Sequence, residues 1–75
     1  MNEIAVLEGR IDALGQALLR VVAELEMRRL IDGPLVSQAW RHARPEQFAL
    51  DEQRKASRHV LLQLAEMLDC ARENR

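Results

Sequence analysis

The chain has 75 residues, of which 48% are hydrophobic, 31% charged and 3% aromatic, with a net charge of -1. That length allows one domain, which buries only about 60% of the surface its unfolded form exposes, and chains this small usually gain stability from disulfides, a metal or a partner subunit. Cys70 is the only cysteine, which excludes an intrachain disulfide, and with His42 and His59 far apart it lacks the paired spacings of a zinc site; oligomerisation is what remains.

The same composition narrows the function classes. A net charge near zero gives no global attraction to nucleic acid or anionic lipid. Few aromatic and β-branched residues leave strands without their usual material. No run approaches the roughly 20 apolar residues of a membrane span. The start, MNEIAVLEGR, lacks the basic and apolar regions of a secretory signal, and a lone cysteine suits a reducing compartment. The expectation is an all-α cytoplasmic protein with no cofactor, no metal and no membrane association.

The first predicted element is a long helix over about 3–31. With Ile4 at heptad position a, the residues Ile4, Leu7, Ile11, Leu14, Leu18, Val21 and Leu25 fill successive a and d positions before Arg28 breaks the series. Residues three and four apart share one helix face, so this is a coiled-coil seam about three heptads long and the predicted oligomer interface. Ala17 at g and Val22 at e widen the stripe toward the broader face used in helix bundles. The charges do not select an orientation for a two-stranded pair. In a parallel dimer Glu24 would meet Arg29, but Glu3 would meet Glu8. Gly9 faces solvent, and Gly15 is read as tolerated rather than as a point of close helix approach.

Arg28 and Arg29 suit the negative end of that helix. Gly33 is expected to take a left-handed cap, and Pro34 both stops one helix and opens the next. A short helix over about 34–43 follows, with Leu35, Val36, Ala39, Trp40 and Ala43 on one face, until Pro45 pushes Arg44 out of helical geometry. Trp40 is a candidate partner anchor, weighed against the plainer reading in which it caps the end of a bundle with Leu35, Val36 and Phe48.

The last helix is expected over about 51–74, capped by Asp51, with a start near residue 46 as the alternative. Its predicted apolar face is Ala56, Val60, Leu61, Leu64, Met67, Leu68 and Ala71. The two long helices with a corner helix between them form an antiparallel helical hairpin in this reading. Pairing two hairpins across a two-fold axis gives a four-helix bundle. A homodimer is expected, with a tetramer as the alternative.

Signals for catalysis are sparse. Neither His follows a Glu by three residues, as a carboxylate-bridged metal site in a bundle requires. Asp69 and Glu66 beside Cys70 argue against a reactive thiolate. No phosphate loop, CxxC or HExxH motif is present. Arg41, Arg44, Arg54, Lys55 and Arg58 are candidate phosphate contacts, expected to gather with Arg28 and Arg29 at one end of the hairpin. Asp32, Glu46, Asp51 and Glu52 interleave with them, which favours a solvated rim. The sequence is therefore read as a non-enzymatic homo-oligomeric module that binds another protein, with a nucleic-acid-associated regulator as the alternative.

Overall fold

Asn2, Asp32 and Asp51 each begin a helix by accepting backbone N–H groups that have no partner inside the first turn. Asn2 Oδ1 accepts from Ile4 at 2.9 Å and Ala5 at 3.3 Å, Asp32 Oδ1 from Leu35 at 3.1 Å, and Asp51 Oδ1 from Arg54 at 2.7 Å. The computed structural model, which describes residues 2–74, accordingly contains α1 (Glu3–Met27), α2 (Gly33–His42) and α3 (Glu52–Glu73). A single 3-10 turn, Glu46–Phe48, follows Pro45, so the region before Asp51 is a separate turn and not an extension of the last helix. No strand occurs among the described residues.

α1 ends four residues earlier than its apolar pattern predicts. Arg29 adopts φ 60, Leu30 N–H bonds to Leu25 O at 3.0 Å, and Arg29 N–H bonds to Glu26 O at 2.9 Å, which together make a Schellman cap with Arg in the left-handed position. Gly33 was expected in that role, yet no glycine has positive φ. Gly33 is instead the first residue of α2, and a Cβ there would fall on the Glu26 carboxylate. Its missing side chain is what lets Glu26 lie over the start of α2.

The tertiary arrangement also departs from the expected hairpin. α3 packs chiefly against α2, with α1 as the lesser neighbour. Along α1, Gly15 approaches Leu64 while Glu26 meets Arg72, so the two long helices run in the same sense where they touch. α2 supplies the antiparallel element. At 10 residues it is about 15 Å long, enough to carry the chain back before α3 starts, so the two long helices cannot oppose each other as a hairpin would.

The core lies where the helices converge. Ala65 and Leu68 are fully buried, Val22 is nearly so, and Ser37 and Gly33 of α2 are buried against them. The inward row of α3 is thus shifted from the predicted one, since Ala56 and Ala71 are exposed and Ala65 is central. On α2 the buried positions are Gly33 and Ser37, while Leu35, Ala39 and Ala43 are exposed.

Gly15 is a point of close approach after all. A Cβ there would stand 3.1 Å from Leu64 Cδ2, whereas nothing lies within 4 Å of a Cβ at Gly9. We expect Gly9→Ala to raise stability by about 0.5–1 kcal/mol through helix propensity. Gly15→Ala should gain less, because Leu64 must give way. Urea unfolding of the two variants at equal protein concentration checks the contrast.

Candidate functional site

The predicted seam is present as a continuous face of α1, and most of it remains uncovered. Ile4, Leu7, Ile11, Leu14, Leu18 and Val21 are 44–72% exposed, and only Leu25 is drawn toward the interior. The reason is rotational. α1 meets the rest of the chain through Gly15, Leu19, Val22 and Glu26, the b and e side of the heptad, which leaves a and d pointing away from α3. The two surfaces join at a groove lined by Ile11, Gly15, Val60, Leu64 and Met67, and Met67 is itself 42% exposed.

The overall dimensions reflect the same incomplete covering. The chain exposes 6011 Å², against roughly 4,700 Å² for a monomer of its mass. Its radius of gyration is 13.7 Å, against roughly 11 Å for its length. With extents of 38 × 35 × 18 Å, it is a flat slab.

A charged clasp holds the three helices together at the other side of the core. Arg72 Nε of α3 bonds Glu26 Oε1 of α1, and Arg72 Nη1 bonds Asp69 Oδ1 at 2.8 Å. From α2, Arg41 Nη2 reaches Asp69 Oδ2 at 2.6 Å and Glu66 Oε2 at 3.6 Å. The Glu26 side chain is only 10% exposed and lies at the positive end of α2, facing the Arg72 guanidinium. The Glu26 carboxylate also raises the Arg72 pKa further.

Asp69 is the other centre of this clasp. Its pKa falls from 3.8 to about 2, first through hydrogen bonding by Ser37, then by Arg72 and Arg41, against the opposing effect of partial burial. The Ser37 hydroxyl donates to the Gly33 carbonyl at 3.3 Å and lies close enough to the Asp69 carboxylate to lower its pKa. A depressed carboxyl stabilises the fold above its unfolded pKa and ceases to do so as pH falls through the folded value. We therefore expect stability to drop between about pH 4 and pH 2, by on the order of 1 kcal/mol after solvent screening. Asp69→Asn should flatten thermal melts across that window.

The five candidate phosphate contacts do not form one free cluster. Arg41 is in the clasp, Arg54 lies 4.0 Å from Asp51, and Lys55 lies 3.5 Å from Glu52. Arg58 Nη1 donates to the Arg44 carbonyl at 3.0 Å, and Arg44 donates to the Ala43 carbonyl at 3.1 Å. Arg28 pairs with Glu24 at 2.9 Å at the end of α1, near where α2 begins, whereas Arg44 follows α2. The length of α2 thus separates two groups that the sequence places together.

Trp40 is half-buried, so it is not sealed in the core. The Cys70 thiol is exposed and donates to Glu66 Oε1 at 3.6 Å; desolvation and that carboxylate raise its pKa. No group of three His, Cys, Asp or Glu able to hold a metal occurs among the described residues. Among the described residues no helix is long and apolar enough to cross a membrane.

The clasp residues Glu26, Ser37, Asp69 and Arg72 were not anticipated from sequence. The available signal was charge in register with apolar rows, since Leu61, Ala65, Leu68 and Arg72 follow helical spacing. Comparison with protein-family models, curated proteins and solved structures finds no match to this chain.

Proposed function

We propose that the protein is a small non-enzymatic helical module that self-associates through the exposed face of α1 and serves as an adaptor for another protein. The observation that carries this reading is the row of six aliphatic side chains, Ile4 to Val21, left in solvent after the chain has folded. Such a row is longer than the scattered apolar residues of ordinary monomer surfaces, and contiguous patches of this kind mark interaction sites. The alternative role at nucleic acid gains no comparable support, because each of its five cations already has an acceptor within the chain.

Leu14, 72% exposed, makes the test clean because changing it disturbs little within the chain. Sedimentation equilibrium at micromolar concentration should show the wild type as an oligomer and Leu14→Asp as a monomer with unchanged helicity by circular dichroism. A monomeric wild type, or an Asp variant that assembles as before, overturns the reading. An oligomer larger than two would select the tetramer.

A further inference from the structure

The self-association proposed above leaves the arrangement of the two copies open, and the exposed residues of α1 specify it. We infer that two copies pair α1 antiparallel about a two-fold axis passing between Asp12 and Ala13, with Ile4 against the partner's Val21, Leu7 against the partner's Leu18, and Ile11 against the partner's Leu14.

Four observations carry this. The first is self-complementarity. In an antiparallel coil each a residue faces a d residue of the other helix, and the six exposed positions pair in this way with none left over. Leu25, the one seam residue without a mate in that register, is the one the chain turns inward.

The second is the position of α3. It covers the side of α1 that carries the e positions Gly15 and Val22. In a parallel pair each e flank lies beside the other helix's g flank, so the two copies of α3 would fall on opposite sides. An antiparallel pair brings e beside e, which sets both copies of α3 on one side and makes four helices around a shared core. The groove of Ile11, Gly15, Leu64 and Met67 then sits beside the two-fold axis, where its exposed apolar edge meets its own copy.

The third is charge. A parallel pair sets Glu3 against the partner's Glu8 on both flanks, and its one compensating contact, Glu24 with the partner's Arg29, is lost because Arg29 lies beyond the helix in the left-handed cap. Glu24 is meanwhile balanced by its own Arg28 at 2.9 Å, which blunts its encounter with the partner's Glu3 in the antiparallel pair.

The fourth is area. The exposures of the six residues correspond to roughly 650 Å² per copy before α3 is counted, near the about 800 Å² per partner of a standard stable interface.

Cysteine cross-linking tests the register apart from the assembly. In a Cys70→Ser background, Leu7→Cys and Leu18→Cys chains are prepared separately, mixed after unfolding, refolded and oxidised. Each residue lies about 16 Å along the axis from its own copy in the antiparallel pair but faces the other position directly. The expected result is no disulfide in either protein alone and cross-linking of about half the chains in the mixture, the statistical share of mixed dimers. Ile4→Cys with Val21→Cys should behave alike. Disulfides within the Leu7→Cys sample alone indicate a parallel pair and overturn this inference while leaving self-association intact. A sedimenting dimer with no disulfide in any sample also overturns it. A monomer under reducing conditions in the Cys70→Ser parent overturns both the register and the reading on which it rests.

Discussion

Replacing Arg72 with Met should lower the free energy of unfolding by about 3 kcal/mol, because it leaves the nearly buried Glu26 carboxylate without its guanidinium. The loss has two parts. Glu26 would lose the charged hydrogen bond that offsets its burial, and Asp69 would lose one of the two arginines that hold it. Removing both ends of the contact should behave differently. One guanidinium nitrogen, Nη2, is buried without an acceptor, so the clasp carries an uncompensated group. Glu26→Leu with Arg72→Met should therefore recover to within about 1 kcal/mol of wild type. Urea unfolding of the four proteins at one concentration gives the coupling directly, and a double variant as weak as Arg72→Met would mean that the clasp acts through something other than charge pairing.

The clasp and the seam differ in how far the sequence revealed them. The seam was legible because a heptad pattern is a property of one helix and needs no tertiary information. Six of its residues, Ile4 to Val21, lie exposed on α1 and Leu25 is half-buried, and what that face meets depends on helix rotation, which the pattern alone does not fix. The caps at Asp32 and Asp51 differ in the same way. Asp51 followed from its position before an acidic turn, whereas the role of Asp32 was masked by the stronger expectation that Gly33 ends α1. That expectation failed because Arg29 accepted the left-handed conformation four residues earlier, and Gly33 was needed for the approach of Glu26. The direction of α3 relative to α1 was not legible either. It turns on whether α2 is a corner or a full antiparallel helix, and ten residues lie near the boundary between those roles.

Leu68→Ala should cost about 3 kcal/mol, and the way in which the loss is recovered bears on assembly. Leu68 is the largest fully buried apolar side chain, and truncating such a residue removes transfer energy and leaves a cavity. A chain of this length has roughly 4–11 kcal/mol of stability in all, so this single change takes a large share. The core around it consists otherwise of Ala65 and Val22, too small to close the gap by shifting. If α1 pairs with a second copy, however, the native state is coupled to dimer formation, and its midpoint must rise with protein concentration. Melting Leu68→Ala across a hundredfold concentration range should restore several degrees of midpoint at the upper end, as mass action adds stability that the core has lost. The same series on Leu68→Ala combined with Leu14→Asp should be flat, because the charge in the seam removes the assembly that compensates for the cavity. A concentration-dependent midpoint in that double variant would place the self-association outside the α1 face.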